Sequence, residues 1–422
     1  MAGNDSADVL VVGGGIIGMA IAWRARQAGM SVSVLERDLA GQGTSHVAAG
    51  MLAPVAEVEF GEAGRRLLEL GLRSARAWPT FAAELEAQSG VSVGLMRTGT
   101  LLAARDDDDA RELERQLDFR HSLGLAVRRL RPSEARALEP ALAPTVRLGL
   151  EAPDDHSVDP RLVLAALRKG CDSAGVRLRE HCTVARVEVQ GASAEHASRS
   201  HASRDDVCGN VRYGKITGAI LKDGERIRAE QIVLAAGPWS EQIEGLPAGA
   251  GVPVRPVKGQ ILRLRDPAGA GLMRRALRFR GGYLVPREDG RYVLGATVEE
   301  RGFELAPTAG GVYELLRDAR ELVPGISELE IEELSVGLRP GTPDNTPAIG
   351  RGALDGLIWA TGHYRNGILL APLTAELVVG VLAGREDPLL SACAPDRFAA
   401  SPTARGKAPL ARAVAPTAGA AA

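Results

Sequence analysis

Cysteine is scarce in this chain: Cys171, Cys182, Cys208 and Cys393 are all there is. They form no Cys-x-x-Cys pair and no framework spacing, which argues against a disulfide-stapled secreted scaffold and leaves reduced thiols as the expectation. His181, His196 and His201 lie near Cys182 and Cys208, but at no usual ligand spacing, so no metal site is expected. No apolar run approaches the ~20 residues of a membrane-spanning helix. A basic segment followed by an apolar leader is missing too, because Asp5 and Asp8 precede the first apolar run. The expectation is a cytoplasmic protein with no membrane span. A surplus of one charge is also lacking: 51 Lys and Arg stand against 53 Asp and Glu, with no long basic block. That argues against a nucleic-acid partner. Against these absences, 45% of the 422 residues are hydrophobic, which is enough for a full core and two or three domains.

The most informative stretch opens the chain. The run Asp8-Val9-Leu10-Val11-Val12 leads into Gly13-Gly14-Gly15-Ile16-Ile17-Gly18. A helix is predicted over Ala20–Gly29 and a second strand over Ser31–Leu35, closed by Glu36. This is a βαβ unit with a G-x-G-x-x-G turn and an acid roughly 20 residues beyond it, the pattern of a dinucleotide site. Gly13 makes the tight turn, Gly15 lets a pyrophosphate approach the backbone, and Gly18 lets helix and strand pack closely. The helix N-terminus offers free N–H groups to phosphate, and Glu36 offers a ribose acceptor.

Further along, the loop Gly41–Met51 is dense in small residues and suits a flat ring. Helices are predicted over 63–89, 106–123, 159–174, 309–323 and 369–382, with Asp159 as an N-cap and Pro160 behind it. Strands are predicted over 98–104, 175–178, 183–189, 218–221, 231–237, 254–264, 331–338 and 357–362, and a hairpin turns at Asp289-Gly290. Residues 190–210 read as a mobile surface insertion, and 398–422 as a disordered tail.

Four separated blocks carry a resemblance to a known family. They are the fingerprint with Glu36; Thr44 to Met51; Leu234-Ala235-Ala236-Gly237-Pro238-Trp239-Ser240; and Gly337 to Asp344 followed by Ala360 to Ile368. In that order they resemble the D-amino-acid-oxidase-like FAD-dependent oxidoreductases, and within them the glycine oxidases. The resemblance implies an α/β protein with a Rossmann-type FAD-binding domain and an inserted α+β substrate domain built on an antiparallel sheet. Residues 1–90, 146–250 and 335–397 are assigned to the first, and 91–145 and 251–334 to the second. The implied cofactor is noncovalent FAD, because no cysteine stands near Val336-Gly337-Leu338-Arg339, where some relatives attach flavin. Its implied contacts are Gly13, Gly15, Ile16, Ile17, Gly18, Glu36 and Arg37, then Thr44, Ser45, Ala48, Ala49, Gly50 and Met51. Ala236, Gly237 and Trp239 follow, then Gly362, Tyr364, Arg365, Asn366, Gly367 and Ile368. Val184 is placed at the adenine, with a core valine as the alternative.

On the substrate side, Arg339 matches the family's carboxylate-binding arginine and Tyr283 its active-site tyrosine. Arg365, Met51 and His363 are expected to line the same site. Lys258 is either an electropositive group near the flavin or a solvent-facing strand lysine. The implied chemistry is oxidation of glycine, sarcosine, N-alkyl glycines or small D-amino acids, with O2 reduced to H2O2 and a role in thiamine thiazole synthesis. A homo-oligomer is implied as well. D-amino-acid dehydrogenases share Arg339-Pro340 and Thr342-Pro343-Asp344 but lack Tyr364-Arg365-Asn366, and they stand as the alternative, passing electrons to a quinone or other acceptor. A nicotinamide dehydrogenase and a non-catalytic flavin-binding accessory protein are the remaining alternatives.

Overall fold

The computed structural model describes residues 7–191, 214–269 and 271–399. Strand β1 (Ala7–Val12) is apolar on both faces apart from Asp8, as a central parallel strand must be. It pairs in parallel with β2 (Val32–Leu35) and β11 (Arg226–Leu234). Beyond β2 comes β8 (Arg177–Arg179), and beyond β11 come β18 (Leu357–Thr361) in parallel and β17 (Ala348–Arg351) antiparallel. A meander of β9 (Val184–Gln190) and β10 (Lys215–Leu221) joins the early part of β11. β17 was not anticipated; Ala348-Ile349-Gly350 is too short a run to read as a strand by itself.

Helix α1 (Ile16–Gln27) connects β1 to β2. It starts at Ile16 rather than at the expected Ala20. Two adjacent β-branched residues are poor helix formers, but both are buried, and Ser45 Oγ accepts the Ile16 N–H at 3.1 Å. Beside it lie α3 (Glu62–Ser89), α6 (Pro160–Ser173) and α8 (Gly367–Leu382), which with the sheet enclose the largest apolar core. α6 is capped as expected, with the Asp159 carboxylate accepting Arg161 N at 2.9 Å and Pro160 in the first turn. α8 is apolar nearly all round because it is covered on nearly every side. Pro372 interrupts its ladder, and the Leu369 carbonyl is taken by Ser74 Oγ (2.6 Å) and Trp78 Nε1 (2.9 Å) of α3. Cys171 and Cys393 are buried in this core, and burial pushes both thiols up to about 12. Cys182 is half-buried.

The second sheet is mainly antiparallel. Its order is β16 (Glu330–Gly341), β12 (Arg255–Arg265), β15 (Arg291–Gly295), β14 (Gly282–Pro286), β13 (Ala276–Phe279), β4 (Thr100–Ala104), β6 (Leu148–Ala152) and β5 (Arg128–Leu130). Only β13 and β4 among these run parallel. The Asp289-Gly290 hairpin joins β14 to β15 as expected. α7 (Ala309–Leu322) buries Leu315, Ala319 and Leu322 in one core with Leu264, Leu277 and Leu294, each fully buried leucine contributing about 1.5–3 kcal/mol. α5 (Pro132–Leu138) adds Ala135 to that core. On the opposite face, α4 (Asp107–Ser122) packs Leu113 and Leu117 on Leu102 and Leu148; its N-cap Asp106 accepts Asp109 N at 2.8 Å. A two-stranded ribbon, β3 (Met51–Leu52) with β7 (His156–Ser157), completes the strands.

Thus the protein has a mixed α/β fold with a Rossmann-type unit and an antiparallel one. A division by sheet falls after Ala152 and after Gly341, because β6 and β16 belong to the second sheet, rather than at the expected 146 and 335. Of the expected insertion and tail, residues 192–210 and 400–422 lie outside the described residues, as do His196, His201 and Cys208.

Candidate active site

A cavity of about 750 Å³ lies between the two sheets. One wall is made by the carboxyl ends of β1, β2, β11 and β18 with the N-termini of α1 and α8, where open parallel sheets bind ligands. Gly13 turns there with φ +109°, and a Cβ on it would lie 2.4 Å from the Ala235 carbonyl oxygen. Gly18 is small for packing, as its Cβ would fall 1.9 Å from Gly13 O. Gly15 differs: only Ser45 Oγ, at 3.4 Å, lies near the Cβ it lacks, so the room it leaves belongs to the cavity. Glu36 lines the same end, its carboxylate accepting Gly14 N at 2.7 Å and Asp38 N at 3.0 Å. The Arg37 guanidinium lies 3.7 Å over the Trp239 ring.

The small-residue loop bends over the middle of the cavity, with one helical turn, α2 (Thr44–Val47), inside it. Its carbonyls are gripped from behind by arginines of the second sheet. Arg263 donates to His46 O at 2.8 Å and Arg287 to Ala49 O at 2.6 Å, while Val158 N holds Gly50 O at 2.9 Å. Thr44 Oγ1 closes the loop onto Leu338 O at 2.7 Å. Burial pushes Arg263 and Arg287 down to about 10.

At the far end, Tyr283 of β14 and Arg339 of β16 meet. Arg339 Nη1 donates to Thr297 O (3.0 Å) and Lys258 O (3.3 Å), which anchors the fork across β12. Two glycines make room for the pair. A Cβ on Gly259 would come within 2.4 Å of the Arg339 guanidinium, and one on Gly295 within 2.6 Å of the Tyr283 hydroxyl. Burial pushes the Tyr283 phenol up, keeping it a donor, and pulls Arg339 below the ordinary guanidinium range, where it is still charged. Arg365 reaches Glu57 Oε1 at 3.3 Å, and Arg278 binds the same oxygen. Burial raises Glu57, but Arg278, Arg365 and Arg339 outweigh it and hold the carboxyl below its usual range. Tyr364, at φ +48°, turns the chain there, and its N–H bonds Pro340 O. His363 is buried against Thr374 Oγ1 at 3.0 Å, and burial pushes it down to about 3, so the ring is neutral.

Of the residues singled out from the sequence, Arg339, Tyr283, Arg365, Met51 and His363 all line this cavity. So do Gly13, Gly15, Ile16, Ile17, Glu36, Arg37, the chosen members of the 44–51 loop, Val184, Ala236, Gly237, Trp239, Tyr364, Gly367 and Ile368. Gly18, Gly362 and Asn366 are not among the lining residues. Gly362, at φ +76°, packs on Thr342, and Asn366 stands at the N-cap position of α8 without a side-chain capping bond. Lys258 is neither beside the cavity nor in solvent. Strand alternation turns it away from Gly259 and Arg339; the lysine is buried, paired with Glu299 and Glu304, and its Nζ donates to the Ala306 carbonyl at 2.6 Å. Glu57, Arg278, Gly259 and Gly295 were missed; nothing in their sequence neighbourhood marks them.

The sequence matches the FAD dependent oxidoreductase family over residues 8–380. The chain belongs to that family. It is 37% identical to the bifunctional protein ThiO/ThiG of Synechocystis sp. over 93% of this chain, but spans only 54% of that relative's length. It is 34% identical to the glycine oxidase of Geobacillus kaustophilus, covering 90% of this chain and 93% of that one. The crystal structure of that oxidase superposes with a TM-score of 0.79, over 91% of this chain and 96% of the other. An iminodiacetate oxidase from Chelativorans sp. superposes equally, at 0.79, with 27% identity over 92% and 98%.

As an FAD-dependent oxidoreductase, the protein has residues that suit its cofactor. The space left at Gly15 lies beside the first-turn N–H groups of α1, which have no partner within the helix and suit a pyrophosphate. The N-terminus of α8, with Gly367 and Ile368 on the wall, suits the electron-rich edge of a flavin. Among the described residues, no group of His, Cys, Asp and Glu could hold a metal, and no helix is long and apolar enough to cross a membrane.

Proposed function

We propose that this oxidoreductase oxidises glycine and related small amines, such as sarcosine, N-alkyl glycines and small D-amino acids. The observation that carries this reading is the half-buried Arg339–Tyr283 pair at the end of the cofactor cavity. Arg339 Nη1 is tied to two carbonyls, so the rest of the fork and the Tyr283 hydroxyl are left for a carboxylate. Clamping that group fixes the neighbouring carbon, which bears both the hydrogen and the amine, and orientation of this kind can supply much of the rate. Bound FAD supplies a two-electron acceptor that O2 can reoxidise. The 44–51 loop and His363, neutral at working pH, shield the site without adding a charge. For glycine the balance is glycine, water and O2 to glyoxylate, ammonia and H2O2, through iminoacetate. The glycine oxidase and ThiO/ThiG relatives support this assignment, and iminoacetate released before hydrolysis would serve thiamine thiazole synthesis.

In this reading the sheet of β1 and its helices hold the cofactor, and the sheet of β12–β16 supplies the substrate side chains. A cytoplasmic location and a homo-oligomer are part of the same proposal; light scattering on the purified protein tests the second. The decisive experiment is anaerobic mixing with glycine, following the flavin band, and then admitting air. Bleaching, with fast recovery and H2O2 in air, is the expected result. Bleaching without fast recovery would favour a dehydrogenase, and bleaching by D-alanine or D-proline alone would discard glycine as substrate.

A further inference from the structure

We propose that Glu57 sets the substrate charge class of this site, restricting it to amines with one carboxylate and turning away those with two; this rests on the substrate end assigned under Proposed function. Glu57 lines the cavity with Tyr283, Arg339 and Arg365. Both Arg278 and Arg365 bond its Oε1, and among the described residues Oε2 makes no hydrogen bond. Three guanidinium groups therefore converge at this end. Arg339 is left for one carboxylate, and the other two are engaged by Glu57. A second carboxylate arriving there would find its cations already paired and an anionic oxygen in front of it, a repulsive element of the kind that sets specificity.

The placement of Glu57 is itself enforced. The two residues before it are held on both edges by buried polar side chains. Asp155 accepts Val55 N at 3.1 Å and Ala56 N at 2.6 Å. Arg120 donates to Val55 O at 2.9 Å and Ala56 O at 2.8 Å. Asp155 and Arg120 are 0% and 1% exposed, and Glu57 N adds a bond to Ala53 O at 3.0 Å. A carboxylate on a loose loop would swing aside for a dianionic ligand, whereas one fixed at its backbone cannot.

The test compares kcat/KM for sarcosine and iminodiacetate, which differ by a methyl against a carboxymethyl group on nitrogen. The FAD-loaded wild type, Glu57→Gln and Arg278→Met are measured side by side. The wild type should prefer sarcosine. Glu57→Gln should move the ratio toward iminodiacetate by about tenfold or more. Arg278→Met, which keeps the anion and removes a cation, should move it the other way. A Glu57→Gln ratio within about twofold of the wild type would overturn the proposal, as would a shift toward iminodiacetate in Arg278→Met if Glu57→Gln does not fold. Should the wild type turn over neither glycine nor sarcosine, the proposed function fails. The same proteins are then titrated calorimetrically with acetate and malonate, and an unchanged selectivity between these anions would overturn the role of Glu57 separately.

Discussion

At the scale of single residues, the substrate end depends on what is absent as much as on what is present. Arg339 can lie across β12 only because Gly259 has no side chain, the Cβ position being 2.4 Å from the guanidinium. Arg339→Ala should lower kcat/KM for glycine about a hundredfold, chiefly through KM, while FAD stays bound; losing a charge-assisted bidentate contact has that size. Gly259→Ala should reproduce the KM effect in milder form, about tenfold, by displacing the arginine without removing it. Steady-state kinetics with a flavin-content assay separates the two. Arg339 was expected from the sequence because a motif block holds it, and Tyr283 because the family resemblance implies a tyrosine there, but Gly259 was not. Its reason for being glycine lies on β16, eighty or so residues away in the chain, and only the β12–β16 register brings the two together. Glu57 and Arg278 share that difficulty, because their contacts with Arg365 are drawn from three distant segments and leave no periodicity behind.

At the scale of elements, the fingerprint unit was readable because every part of it is local: a strand, a turn that only glycine makes, a helix and a second strand. The loop that follows was readable as small residues and no more. Its shape comes from Arg263 and Arg287, which reach over from the second sheet to hold His46 and Ala49 by their carbonyls. Arg287→Met should leave the Ala49 carbonyl without its donor, at a cost of about 1–3 kcal/mol. FAD affinity should fall by roughly tenfold, with substrate KM little changed at saturating cofactor. A fluorescence titration of apoprotein with FAD checks this, and an unaltered affinity would show the grip to be incidental. Lys258 shows the opposite failure. Reading a strand by composition gave its neighbours correctly, but the face on which each residue falls depends on a single-residue register.

At the scale of the whole molecule, two buried groups pull stability in opposite directions with pH. Burial holds His363 at about 3 in the folded chain against 6.5 outside it, so its contribution is full above 6.5 and is lost as pH falls toward 3. Asp155 is raised by burial, and further by Glu57, to about 7 from 3.8; its contribution is present below 3.8 and is lost as pH rises through 7. Between about pH 4 and pH 6 the two slopes oppose each other, each on the order of 1 kcal/mol per pH unit. Relative to the wild type, His363→Gln should shift the stability difference between pH 4.5 and pH 6 in favour of the lower pH, and Asp155→Asn in favour of the higher, as read from urea unfolding. Parallel profiles for all three proteins would contradict the linkage. The two-unit architecture was expected because the family resemblance implies it. The resemblance does not fix where one unit ends and the other begins, and β6 and β16 of the second sheet run on to Ala152 and Gly341.

An enzyme that hands electrons to O2 makes an oxidant beside its own sulfur atoms. Peroxide attacks a thiolate far faster than a thiol. Cys171 and Cys393, pushed up to about 12 inside the main core, are held in the unreactive form at any working pH. Two sulfurs among the described residues line the cavity, the Cys182 thiol and the Met51 thioether, and of these it is Met51 that clusters with Tyr283 at the substrate end. Wear during turnover should thus begin as a sulfoxide at the site itself, a lesion that reductases can reverse, and reach the fold's interior last.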